Sequence, residues 1–243
     1  MSGSSTDAPL MSEIANRFRQ LHPKVEITIE TGGSARGIED IRSGKTDIGM
    51  VSRVMTEQEQ DLKGFPIARD GLGIMVNGNN PVATLATAQI TDIFTGRIKN
   101  WNKVGGRNAP IVVINREDGR GSTELFKRHF KLKYSDIQAQ VVLGTDNDAV
   151  IGAVAAEPNA VSIMSVIVAQ NKQKAGGSIK LVALDGVEAT RANILTGNYP
   201  LSRPLTLVTR GLPTDLAKSF IEYSLSAQVI DIIERTGFVP YQE

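Results

Sequence analysis

The 243-residue sequence contains no cysteine. That excludes disulfides, thiolate metal sites and cysteine nucleophiles, and leaves the compartment open. Histidine is almost as scarce. His22 and His129 are too few and too far apart in sequence to predict a metal centre, and His22, before Pro23, is expected at a helix end. There is a single tryptophan, Trp101, and aromatics make up only 5% of the chain. One tryptophan in a loop is expected to plug a small satellite core rather than stack on a ligand. No stretch approaches the about 20 apolar residues of a membrane span, and there is no signal peptide. The chain meets its first helix cap almost at once, as expected of a mature form. Net charge is only +1, so no broad field points to nucleic acid or to an acidic membrane. Any anion site must be local.

What remains is an ordinary globular composition, 41% hydrophobic and 22% charged. The length suits one large domain or two lobes. The most informative stretch is Asn115 to Arg128, NREDGRGSTELFKR. An apolar run, Ile111 to Ile114, leads into a loop with two glycines, and a helical pattern opens at Ser122 or Thr123. Strand, glycine loop and helix start present unpaired backbone N–H groups at the positive end of the helix dipole. Arg116 adds a planar fork suited to an oxyanion, and Asp118 is placed to hold it. The plainer reading is a βα turn with Asp-Gly as turn and Ser or Thr as cap. It is not a nucleotide P-loop, because Gly-Lys-Ser/Thr is missing.

Apolar residues at helical spacing predict helices over Pro9–Leu21, around Ile38–Ile41, from Thr56, over Thr91–Thr95, from Ser122, over Asp146–Glu157, and over 214–225 and 227–236. Strands are expected at Val25–Glu30, Asp47–Val51, Phe65–Val76, Ile111–Ile114, Val161–Met164, Ile179–Leu184 and Leu205–Thr209. Alternation of the two types predicts α/β layering with mainly parallel strands, and ligands outside their carboxyl ends. Several helix starts carry hydroxyls or arginine: SGSST, the loop with Ser34, Ser52-Arg53, and Arg116 with Ser122. Their repetition favours an anion site. Glycines 32, 33 and 37 do not make G-x-G-x-x-G. Asp146 and Asp148 lack the EF-hand's glycine and final glutamate and are read as helix capping.

Taken together and in order, SGSSTDAPL, TGGSARGI, DIGMVSR, DIFTGRIKNW, INREDGRGSTELF, YPLSRPLTLVT and TGFVPY resemble the phosphate-binding proteins of ABC transporters. Each motif alone is weak; the ordered set spans essentially the whole chain. The resemblance implies a periplasmic-binding-protein fold of type II: two α/β lobes with a hinge and an interlobe ligand cleft. It puts residues 1–74 and 206–243 in lobe 1 and 75–205 in lobe 2, with crossovers near Leu72–Val76 and Leu201–Thr206. It implies a non-catalytic monomer, periplasmic or extracellular, lipid-anchored in its precursor, that binds inorganic phosphate and delivers it to membrane permease subunits. No cofactor or metal is implied. By motif, phosphate would be held by Ser5, Thr6, Ser34, Ser52, Arg53, Arg116, Gly121 and Ser122.

Three departures from the family pattern stand out. The strand that usually precedes SGSST is nearly missing. Arg120 stands where a hydroxyl is usual. Arg53 stands where some relatives carry an aspartate that accepts the phosphate proton. Another acceptor is therefore expected: the hydroxyls of Ser5, Thr6 or Ser34 first, then Asp47 or Asp118. The competing functions are a receptor for sulfate or molybdate, a relative that kept the fold and lost the site, and an enzyme acting on phosphate esters. The last has neither a histidine in any candidate loop nor a paired acidic cluster to support it.

Overall fold

The computed structural model describes residues 1–144 and 146–241. Contacts divide the chain into two compact units. The first holds Met1–Asp70, Gly119–Gly121 and the chain from Arg203 onward; the second holds Gly71–Asp118 and Ser122–Ser202. The changes of unit at 70/71 and 202/203 fall a few residues before the expected 74/75 and 205/206. The short segment 119–121 groups with the first unit because the Ala35 N–H donates to the Gly119 carbonyl at 3.0 Å.

In the first unit, the strand Ser2–Gly3 lies between Glu30–Thr31 and Gly49–Val51, parallel to both. The strand missing from the sequence pattern is thus present, but only two residues long. The alternation over Val25–Glu30 yields strand only at Glu30–Thr31, since Ser2–Gly3 offers no longer ladder to pair with. Ser202–Thr209 runs antiparallel to Gly49–Val51, and Val239–Pro240 antiparallel to the first half of Lys63–Asn77. The helix Ala8–Leu21 follows the 3.6-residue spacing of Leu10, Ile14 and Phe18, all buried. Phe18 meets Phe220 edge to face at 5.3 Å. Burying such side chains contributes roughly 1.5–3 kcal/mol each. The helix Ser34–Arg42 comes down directly on the strands because Gly37 has no side chain. A Cβ there would lie 3.0 Å from the Ser2 and Met50 carbonyl oxygens.

In the second unit, the latter half of Lys63–Asn77 is flanked by Ala160–Ser165 and Ile179–Leu184, antiparallel to both. Val112–Arg116 pairs in parallel with Ala160–Ser165 and with Val141–Leu143. The expectation of mainly parallel strands therefore holds only within groups. The long strand Lys63–Asn77 runs against its neighbours because no single βαβ crossover joins it to them. The core gathers Met75, Ile114, Val150, Ile151, Val154 and Met164. Two helices that the spacing does not predict, Val166–Lys174 and Arg191–Leu195, complete this unit. Trp101 is buried in a 3-10 turn and its indole N–H donates to the Asn159 carbonyl at 2.9 Å. It is buried rather than open to a ligand.

Candidate anion-binding site

The first unit gathers a cluster of buried hydroxyls. Ser4 and Thr6 lie between the strand Ser2–Gly3 and the helix Ala8–Leu21; Ser34 opens the helix Ser34–Arg42; Ser52 ends the strand Gly49–Val51. Ser4, Thr6, Ser34 and Ser52 are all buried, and Ser5 is partly exposed. The Ser52 N–H donates to Ser34 Oγ at 3.2 Å, and Ser52 Oγ lies 2.9 Å from Ser4 Oγ. Gly121 fits against this pair only because it lacks a side chain. A Cβ there would sit 2.5 Å from Ser34 Oγ and 2.6 Å from Ser52 Oγ. Ser34, Ser52 and Gly121, picked out separately in the sequence, are brought together.

Beneath them lies a charge network that the sequence reading missed. Arg203 is almost fully buried and its Nη2 donates to Asp70 Oδ2 at 2.8 Å, with Nε on the same oxygen at 3.2 Å. Its remaining donors reach Thr6 Oγ1 at 3.2 Å, the Ser52 carbonyl at 3.1 Å and Ser52 Oγ at 3.4 Å. One guanidinium thus fixes two of the loops that carry the hydroxyls. A signal was available. Asp70 interrupts the apolar run of Lys63–Asn77, and a charge in a buried strand calls for a partner.

Asp7, at the start of the first helix, is also fully buried. Its Oδ1 accepts the Ser4 hydroxyl at 2.9 Å. Its Oδ2 is enclosed without a hydrogen-bond partner among the described residues. Burial pushes its carboxyl up to about 7, against the opposing pull of the Ser4 hydrogen bond and the Arg203 charge, while Asp70 adds to the rise.

Arg53 is placed elsewhere. Its Nη1 and Nη2 donate to Glu59 at 2.8 and 2.7 Å, both side chains buried. Glu59 also accepts from the Thr56 N–H at 2.8 Å. The fork expected to grip an anion is closed on this carboxylate, a partner six residues away that the sequence pattern marks only as part of a helix start. Asp47 is exposed. Asp118, exposed as well, accepts from the Lys127 ammonium.

In the second unit, Arg116 ends the strand Val112–Arg116 and is buried; its Nη1 donates to Asn147 Oδ1 at 2.6 Å. Asn147 begins the helix Asn147–Ala156, whose cap is Asp146, its side chain accepting from the Ala149 N–H. Asp146 is therefore a cap, as expected. Ser122 and Thr123 stand, buried, in the first turn of Gly121–Phe130.

Hydroxyls, helix starts and buried guanidinium groups suit an oxyanion. No cluster of metal-ligating side chains occurs among the described residues. The His22 ring lies tilted against Phe18, and His129 meets Phe130 edge to face.

A family model described as a PBP superfamily domain matches residues 1–228. The chain belongs to the PBP superfamily. Among solved structures, this superfamily member is similar to a putative phosphate ABC transporter substrate-binding protein with bound phosphate from Clostridium perfringens. The two share 34% identity over 99% of this chain and 98% of the other, with a TM-score of 0.90. An ABC-type phosphate transport receptor from Vibrio cholerae is 31% identical over 98% of each chain, with a TM-score of 0.80. The phosphate-binding protein PstS of Bacillus subtilis is 29% identical over 99% of this chain and 79% of its own length.

Proposed function

We propose that this superfamily member binds inorganic phosphate and hands it to the permease of an ABC transporter. The observation that carries the reading is the meeting of Ser34, Ser52 and Gly121, three loop residues far apart in sequence that converge in one buried hydroxyl cluster. The motif resemblance adds Ser5, Thr6, Arg116 and Ser122 to the proposed phosphate ligands. Arg53 is left out, because Glu59 already takes both of its terminal nitrogens. The relatives named for phosphate binding and transport support the same ligand.

The protein releases phosphate unchanged. Among the described residues, the hydrogen bonds of Ser4, Ser34 and Ser52 include no imidazole to act as a general base. It works as a monomer on the outer side of the membrane, lipid-anchored in its precursor.

Calorimetric titration of phosphate into ligand-stripped protein is the test. One phosphate per chain is expected. An absence of binding heat, confirmed by equilibrium dialysis, overturns the reading. Equal displacement of labelled phosphate by sulfate leaves a general oxyanion receptor in its place.

A further inference from the structure

We propose that Asp118 is a site of spontaneous covalent modification: the Gly119 nitrogen attacks its carboxyl group, and the isoaspartyl linkage that results displaces the loop that brings Gly121 to Ser34 and Ser52. The modification stands on the loop alone; its effect on affinity rests on the phosphate reading above.

The sequence has four places where an acid or its amide precedes glycine: Asp70-Gly71, Asn77-Gly78, Asp118-Gly119 and Asp185-Gly186. A glycine there has no side chain to crowd the ring that its nitrogen closes. Burial and hydrogen bonding separate the four. Asp70 is sealed from water, with Arg203 Nη2 and Nε on one oxygen at 2.8 and 3.2 Å. Asn77 is buried, and its amide donates to the Val154 and Ala155 carbonyls at 3.0 and 2.9 Å. Asp185 is exposed, but its two oxygens accept the Thr87 N–H and hydroxyl at 2.8 and 2.6 Å. Its own N–H is tied to the Leu85 carbonyl at 3.0 Å.

Asp118 stands in a loop with its side chain 49% exposed, and meets the Lys127 ammonium there. A surface ion pair of that kind restrains a side chain only weakly. Gly119 has φ +79°, in the left-handed region that glycine enters without strain. A Cβ on it would also lie 3.1 Å from the Ala35 Cβ. The fold therefore requires glycine at the one position that opens Asp118 to attack.

The reaction needs only water. The Gly119 nitrogen bonds to Asp118 Cγ; its hydrogen leaves with a hydroxyl of the carboxyl group as one water, and a five-membered succinimide forms. Water then opens the ring. Breaking the bond from nitrogen to Cγ restores aspartate. Breaking the bond from nitrogen to the Asp118 backbone carbonyl carbon leaves the chain running through Cβ and Cγ, with the former backbone carbonyl as a free carboxylate. No oxidation or reduction occurs. The backbone gains one carbon immediately before Gly119, whose carbonyl accepts the Ala35 N–H at 3.0 Å. Two residues on, Gly121 has no room to move inward against the Ser34 and Ser52 hydroxyls. Lys127 is the brake, because the carboxylate must leave the ammonium before it can be attacked.

The test is prolonged warm incubation of the ligand-stripped protein in neutral buffer made with oxygen-18 water. Peptide mapping with electron-transfer fragmentation then locates isoaspartate and incorporated heavy oxygen, and equilibrium dialysis measures phosphate-binding capacity. Both labels are expected at Asp118 several-fold ahead of Asp70, Asn77 and Asp185, which serve as comparators within the same chain. Capacity is expected to fall in step with the isoaspartyl fraction. Lys127→Gln is expected to speed both changes. Asp118→Glu, which would have to close a larger ring, is expected to hold its starting capacity over the same time. Absence of label at Asp118, or label there no faster than at the comparators, overturns the site. Isoaspartate at Asp118 with undiminished capacity overturns its effect on the loop and leaves the phosphate reading standing. A fresh native chain that binds no phosphate overturns that reading, and the peptide map alone then decides the modification.

Discussion

The Arg203 guanidinium lies against the Asp70 carboxylate, Nη2 to Oδ2 2.8 Å, with both side chains essentially sealed from water. Two charges taken out of solvent are held by each other and by the polar groups of Thr6 and Ser52. Removing one leaves the other uncompensated in a low-dielectric interior. Asp70→Ala should therefore cost about 3–5 kcal/mol of stability, and Arg203→Ala a similar amount, read by urea denaturation of the ligand-free protein. Replacing both with apolar residues should recover much of that loss. Additive single-variant costs would show that the pair is not coupled as the geometry implies.

Gly121 is expected to tolerate no side chain without loss of function. In Gly121→Ala the new methyl would stand 2.5 and 2.6 Å from the Ser34 and Ser52 hydroxyls, so these must move. Phosphate affinity should fall by roughly tenfold or more, the equivalent of one or two disturbed hydrogen bonds. Thermal melting should drop only slightly. An alanine variant that binds phosphate normally would remove the Ser34–Ser52 pair from the site.

Arg116→Ala should weaken phosphate binding by about 2–5 kcal/mol, the range for deleting a charge-assisted hydrogen bond in a desolvated site. The variant also removes the bond to the Asn147 amide oxygen. Calorimetry checks the affinity, and circular dichroism checks that the fold persists. Full affinity in the folded variant would take Arg116 out of the site.

Arg53 is expected to behave in the opposite way, as a structural residue. Arg53→Met should lower stability and leave phosphate affinity unchanged. Its partner also predicts a pH dependence. Burial alone would raise the Glu59 carboxyl, but the hydrogen bonds from Arg53 and the Thr56 N–H outweigh it and hold the group below its ordinary 4.5. A carboxyl depressed in the folded state stabilises at pH above 4.5, and the contribution is lost as pH falls below that value toward the folded-state titration. Acid unfolding of Glu59→Gln should accordingly be less steep below pH 4.5 than that of the native chain.

Asp7 carries the reverse sign. Its carboxyl is raised in the fold from 3.8 to about 7, so the folded chain binds more protons than the unfolded one between those values. The native protein should gain stability as pH falls from about 7 toward 4, with respect to this group, and lose it on ionisation. Asp7→Asn should be the more stable variant at about pH 8, by roughly a few kcal/mol, and nearly equal to the native chain at about pH 4. Parallel thermal melts at the two pH values decide it. A destabilised variant at the higher pH would mean that the ionised carboxylate is better satisfied than its partnerless Oδ2 indicates.

Most helices and the loops at their starts are legible in the sequence, because amphipathic spacing and glycine-hydroxyl loops are local signals. Ser34 and Ser52 can be picked out for that reason. Arg203 and Asp70 cannot be paired in the same way, since they stand 133 positions apart and meet only through tertiary placement. Arg53 misleads for a related cause: a free-looking fork at a strand end is indistinguishable in sequence from one closed on a buried carboxylate. Val25–Ile29 shows strand alternation but has no ladder to join, and alternation alone does not supply a partner. Asp7 reads as one more helix-start acid. Only its enclosure, and its bond to Ser4 rather than to the helix N–H groups, separates it from an ordinary cap.

The position of Trp101 has a practical consequence for spectroscopy. The chain's one indole is sealed inside the second unit and tied to the Asn159 carbonyl. Red-edge excitation, which spares the tyrosines, therefore yields an emission signal from that unit alone. In a denaturant titration, the wavelength shift of this fluorophore follows the melting of residues around Trp101, while far-ultraviolet ellipticity averages over the whole chain. Superimposable curves from the two probes would establish that both units unfold in one cooperative step; separated midpoints would assign the order in which they come apart.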